Sequence, residues 1–285
     1  MPDMGAASPA VRAPLMAALP SAALYTVLVA LFSAPFYVLL SRTGLRGSFL
    51  VFALMWCPAT AGLVSALIAR RPLAAFGWRW PGFGVMAAAY AIPVAYAAAA
   101  YGAVWALGWG RPSLEHYFLA THKPFTVIVW LVVTVGVLGS CLSALGEEIG
   151  WRGFLVPVLA FRFGFTGAAL LSGVIWTAWH VPLIVFADYH GGGPAWFSIT
   201  CFAVLVMSIS FLFAWMRLAS GSVWPCMMLH AVHNIFVQAI FTPLTANTGH
   251  TGWFIDEFGV ALPVAAIIAT LLVVRLFPLR MAPSA

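Results

Sequence analysis

Two adjacent glutamates, an arginine, three histidines and an asparagine stand where a chain this apolar has little room for polar groups. Glu147 and Glu148 lie in Ala144-Leu145-Gly146-Glu147-Glu148-Ile149-Gly150-Trp151-Arg152, inside a long apolar run. His180 closes Trp176-Thr177-Ala178-Trp179-His180, and three more polar residues stand in His230-Ala231-Val232-His233-Asn234. Burying an ionised carboxylate in hydrocarbon costs on the order of several kcal/mol, so two adjacent ones need a compensating reason. Glu148 and Arg152 are four residues apart, share a helix face and can pair. A lone stabilising ion pair accounts for them but leaves Glu147 unexplained, because it is turned by roughly 100° from Glu148. His230 and Asn234 also share a face. His233 needs no role beyond an interhelical hydrogen bond. A carboxylate and imidazoles can take a proton from water, and imidazole and amide donors can stabilise an oxyanion.

The elements that must carry these groups follow from composition. Hydrophobic residues make up 64% of the 285 residues and charged residues 7%. Soluble domains carry roughly a quarter charged residues, so the chain belongs to the membrane class. The expected fold is all-α, a polytopic bundle of about eight transmembrane helices at roughly 20 residues each. The apolar runs are 21–40, 49–69, 84–109, 126–159, 166–187, 196–217, 223–241 and 258–278. The fourth is too long for one straight span, and Gly146, Gly150, Gly153 and Pro157 mark where it would kink or end. Residues 1–20, with four prolines, read as a flexible lead to a single transmembrane domain over 21–280. The first apolar run exceeds a signal-peptide core and reads as a retained span.

Loop charges set an orientation. One face carries Arg12, Arg70, Arg71, Arg79, Arg162, Arg217 and Arg280, with Arg275 near the last helix end. The other carries Arg42, Arg46, Arg111 and Lys123, with Glu115, Asp188, Asp256 and Glu257. The positive-inside rule then places both termini in the cytoplasm, in a multi-pass protein of the inner (plasma) membrane. The net charge of +6 forms no clustered basic face, which excludes nucleic acid as a partner. The four cysteines, Cys57, Cys141, Cys201 and Cys226, fall in apolar stretches without a CxxC pair and read as buried hydrophobes. One lysine against many arginines, with abundant Ala, Gly and Pro, is a compositional sign of a GC-rich bacterial genome. His116, His122, His190 and His250, like Asp256 and Glu257, read as ordinary loop residues.

Helical rise puts Glu147 roughly 18 Å from the cytoplasmic end of its run, His180 at a similar depth, and His230 roughly 12 Å into its helix. Three helices can thus bring their polar groups to one level. The set Glu147-Glu148-x-x-x-Arg152, then Trp176 with His180, then His230-x-x-x-Asn234 resembles the three motifs of the CPBP intramembrane proteases. That family includes the CAAX prenyl endopeptidases and the bacterial Abi proteins. The resemblance covers 141–235, with the same order, spacing and placement on separate spans. It departs at Trp176, where the family usually has Phe, a mild change in packing beside His180.

The resemblance implies a membrane-embedded catalytic cavity open to the cytoplasmic side. It also implies an endopeptidase that cuts a membrane-associated protein or peptide near its C-terminus. The prenyl group of eukaryotic substrates is not carried over, because bacteria generally lack that modification. It further implies Glu147, His180, His230 and Asn234 as catalytic residues, with Glu148, Arg152 and Trp176 in support. Two versions of the chemistry stay open. In one, Glu147 and His180 activate water while His230 and Asn234 donate to the oxyanion. In the other, a zinc ion sits among Glu147, His180 and His230, a known catalytic ligand set, as the family's frequent metalloprotease label implies.

Other intramembrane protease chemistries fit poorly. The sequence has no HExxH and no Gly-x-Ser-Gly, and of its three aspartates, Asp3, Asp188 and Asp256, none lies clearly mid-span. A transporter would also place Glu, His and Arg in spans, but paired broken helices in inverted repeats are not visible. A non-enzymatic scaffold or bacteriocin-immunity protein would share the fold, and the intact set of four residues argues against it. Nothing in the sequence sets an oligomeric state.

Overall fold

In lipid a backbone must satisfy its own N–H and C=O groups, and the apolar runs do so as helices. The computed structural model describes residues 9–45 and 49–279. Asp3, Arg46 and Arg280 lie outside the described residues.

Helix α1 is Pro9–Thr43. It therefore runs back into the stretch expected to be a flexible lead, where four alanines favour helix. Helices α2, Phe49–Met55, and α3, Cys57–Ile68, make one span interrupted at Trp56. Helix α4 is Phe83–Ala106 and the short α5 is Leu114–Thr121, capped by Ser113, whose Oγ accepts from the His116 N–H. Helix α6, Phe125–Leu131, continues through a π-helical stretch Val132–Gly136 into α7, Val137–Glu148. A second π-helical stretch, Ile149–Leu155, leads into α8, Val156–Phe186. Helix α9 is Ala195–Ser220 and α10 is Trp224–Asn234, extended by π-helical Ile235–Phe241 and the single turn α11, Thr242–Leu244. The last helix, α12, is Ala261–Leu276. Strands β1, Arg111–Pro112, and β2, Thr245–Ala246, pair antiparallel and tie the two connections on one side of the bundle.

Six helical stretches among the described residues are long and apolar enough to cross a membrane. One of them, Val132–Phe186, has 55 residues and is divided at Gly164, and Ala261–Leu276 is a shorter apolar helix. Counted this way the bundle has about eight helices, as the apolar runs imply. The long fourth run does not break at its glycines or at Pro157. Pro157 follows directly on the π-helical stretch, and the helix runs on through it. The break is at Gly164, with φ 66° and ψ −172°, a conformation open to glycine.

The glycines of that run serve close packing instead. A Cβ on Gly146 would come within 2.7 Å of the Met55 carbonyl oxygen, and one on Gly150 would collide with the Pro58 carbonyl and the Tyr25 hydroxyl. The segment after Glu148 thus lies directly against α3. Tyr37 of α1 donates to the Trp179 carbonyl at 2.6 Å, and the Trp179 indole donates to Ser33 Oγ at 2.8 Å. These bonds fix α8 beside α1, one residue before His180. All four cysteines are free and buried, as expected.

Candidate active site

Glu147 and Glu148 end α7, where the chain widens into the π-helical stretch that carries Trp151 and Arg152. Such wide turns are often found at functional sites, since they re-aim side chains within a continuous helix. Glu147 is 2% exposed and Glu148 fully buried. Their carboxylates face different partners, as their angular offset requires. Glu147 Oε2 accepts from the indole N–H of Trp176 at 2.8 Å and from that of Trp151 at 3.2 Å. Both donors can only donate, so this oxygen is held as an acceptor. Glu148 Oε1 accepts from Arg152 at 2.8 Å and from His230 Nδ1–H at 2.8 Å. The Arg152 guanidinium lies between the rings of Trp176 and Phe213, at 4.1 and 4.0 Å from their centroids. The Glu148–Arg152 pair read from the spacing is therefore present, and His230 is joined to it from α10.

His180 Nδ1 lies 3.0 Å from the Trp176 carbonyl oxygen. A carbonyl only accepts, so Nδ1 carries the proton and Nε2 keeps a lone pair in the neutral ring. The ring packs edge-on to Trp179 and against Phe202. In the same way the bond to Glu148 requires a proton on His230 Nδ1. Asn234 lies one turn further along the His230 face.

Glu147, Trp176, His180, His230 and Asn234 line one cavity of about 270 Å³. The spans thus bring all four expected catalytic residues to one space. The cavity has a second polar group that the loop reading of Glu257 missed. Glu257 precedes α12 but is 5% exposed and lines the cavity with His233, Tyr189 and Gln238. His233 does make the interhelical bond expected of it, with Tyr96 at 2.6 Å. Burial pushes the Glu257 carboxyl up, but donation from His233, Gln238 and Tyr189 outweighs this and holds it below the usual range.

Leu45, Tyr189 and Glu257 belong to connections on the face opposite Arg70 and Arg71, and they line one end of the cavity. Towards the other face, Trp151, Arg152 and Phe76 are buried, and Arg217 donates to the carbonyls of Arg152 and Ala75.

Among the described residues no three His, Cys, Asp or Glu side chains gather closely enough to hold an ion. The bonds at Glu147 Oε2 and at Nδ1 of His180 and His230 would still leave Oε1 and both Nε2 atoms to face an ion, so it is their separation that decides the fit. The arrangement does not fit a three-ligand site of Glu147, His180 and His230.

Residues 125–236 match the model of the Rce1-like family, type II CAAX prenyl endopeptidase Rce1-like. Over this segment the chain is similar to the CAAX protease family. CAAX prenyl protease 2 of Methanococcus maripaludis is 28% identical over 132 residues, which is 45% of this chain and 46% of that relative. The chain thus aligns with less than half the length of this CPBP/CAAX relative. The matched family segment runs from α6 into the π-helical stretch after Asn234 and holds all three polar motifs, while Glu257 lies beyond it.

Proposed function

We propose that the chain is an intramembrane endopeptidase that hydrolyses a peptide bond in a membrane-associated protein or peptide. The supporting observation is the convergence of Glu147, His180, His230 and Asn234 on one cavity within an apolar bundle. Glu147 and His180 Nε2 hold a water and take its proton as it attacks the scissile carbonyl. The proton passes to the leaving amine. The tetrahedral oxyanion receives hydrogen bonds from Asn234 Nδ2 and His230 Nε2.

The last of these bonds sets a condition on His230. Its Nδ1–H already donates to Glu148. For Nε2 to donate as well, the ring must carry both protons, and Glu148 is then its counter-ion. Glu148 and Arg152 act as a buried charge frame for the oxyanion donor, in addition to holding the helix. No step runs through a metal. The substrate presents an apolar stretch to the cavity wall of Leu54, Leu205, Val206 and Ile209. We place the chain in the inner membrane, with both termini cytoplasmic by charge.

The test is cleavage of a membrane-peptide library by purified wild type and Glu147→Gln, read by mass spectrometry, with and without a chelator. Products from wild type alone, unaffected by chelator, are the expected result. Full turnover by Glu147→Gln would sink the mechanism. Loss of products with chelator would restore the zinc alternative.

A further inference from the structure

We propose that Glu257 is a positioning residue that braces His180 on α8 against His230 and Asn234 on α10. The proposal rests on reading those three residues as the reacting site. Glu257 lies outside the family segment, in the connection between α11 and α12, and nothing in its local sequence marks it.

The turn that delivers it is well defined. Asp256 adopts a left-handed φ of 57°. Its N–H donates to the Tyr101 hydroxyl at 3.1 Å, and its Oδ1 accepts from the Phe258 N–H at 2.7 Å. With Asp256 turned to its own backbone, Glu257 enters the cavity.

The two carboxylate oxygens then hold different elements. Oε2 accepts from the Tyr189 hydroxyl at 2.8 Å. Tyr189 lies three residues past α8 and its N–H donates to the Leu183 carbonyl at 3.2 Å. Its ring lies over His180, 6.2 Å between centroids and 28° from parallel. Oε1 accepts from His233 at 3.2 Å and from Gln238 Nε2 at 3.0 Å. His233 is one residue before Asn234 and three after His230. Because Glu257 only accepts, His233 Nε2 carries a proton, and in the neutral ring its Nδ1 accepts from the Tyr96 hydroxyl. One carboxylate therefore fixes the wall behind His180 and the helix that bears the oxyanion donors. Such support decides whether a site is held to the fraction of an ångström that chemistry needs.

The experiment uses full-length protein in detergent with Glu257→Gln, Tyr189→Phe, the double variant and the exposed control Glu115→Gln. The first readout is the rate at which diethyl pyrocarbonate modifies His180, followed by peptide mass spectrometry. It needs no substrate. We expect both single variants to raise this rate by about threefold or more, with the double variant adding little because both cut one link. The control matches wild type. The second readout is turnover of a peptide that wild type cleaves, where kcat falls by roughly tenfold and KM stays within about twofold. If Glu257→Gln does not fold, Tyr189→Phe decides alone. Unchanged His180 reactivity in folded Tyr189→Phe overturns the brace. If wild type cleaves no peptide, the peptidase reading fails while the His180 rates still decide this one.

Discussion

Trp176 on α8 donates its indole N–H to Oε2 of Glu147 on α7 at 2.8 Å. A phenylalanine, usual at this position in the family that the motifs resemble, has no such donor. Trp151 holds the same oxygen from one helical turn away. In this chain the acid's orientation is thus fixed by two indoles.

Trp176→Phe should fold, since an aromatic of similar breadth still covers Arg152. Losing one hydrogen bond to a carboxylate is worth about 1.5–3 kcal/mol, so kcat/KM should drop by roughly ten- to a hundredfold. Kinetics on a peptide cleaved by wild type would check this, and an unchanged kcat/KM would show that Trp151 alone suffices.

Arg152→Ala should act on stability instead. It leaves Glu148 buried with only His230 as a partner and empties the slot between Trp176 and Phe213. Breaking a buried pair costs about 3–5 kcal/mol. A large fall in melting temperature and in yield is expected. Arg152→Lys should rescue little, because an ammonium cannot stack as a planar guanidinium does.

Neighbouring acids in the connection before α12 should respond oppositely to pH. Burial raises the Asp256 carboxyl to about 7. The folded state then keeps a proton that the unfolded chain releases near about 3.9, so stability falls as pH rises between these values and levels off above. Glu257, held low, gives stability that is lost on acidification. Melting curves of Asp256→Asn against wild type from pH 4 to 8 should show the loss of the first slope only.

Orientation is open to direct measurement. The native cysteines are buried, so single added cysteines report cleanly. In intact cells a membrane-impermeant maleimide should label Glu115→Cys and spare Arg79→Cys, which puts the Glu257 end of the cavity outside. The reverse pattern would put that end in the cytoplasm, as the family resemblance implies, and both termini outside.

The sequence made the motif residues legible for one physical reason. In an apolar run each polar residue is conspicuous, and spacing of four assigns it a face. The pairing of Glu148 with Arg152 and the shared face of His230 and Asn234 followed from that. Glu257 was not legible, because its burial comes from the turn at Asp256 and from donors on α10 and the α8–α9 connection, all distant in sequence. The break at Gly164 falls in the gap expected between the runs 126–159 and 166–187, although nothing singled out that glycine. Close packing claimed the glycines that looked like breakers, and that depends on α3 lying alongside.

Glu148 bonds to Arg152 four residues on and to His230 eighty-two residues on. Charged residues at a helix centre oppose insertion by about 2.5–3.5 kcal/mol each. While the ribosome has produced only α7 and α8, this segment has one of its two partners and no settled place in lipid. It reaches its final seat only after α10 has emerged. The chemistry-bearing helix is therefore a late arrival in biogenesis, and a nascent chain halted before His230 should remain a client of the insertion machinery.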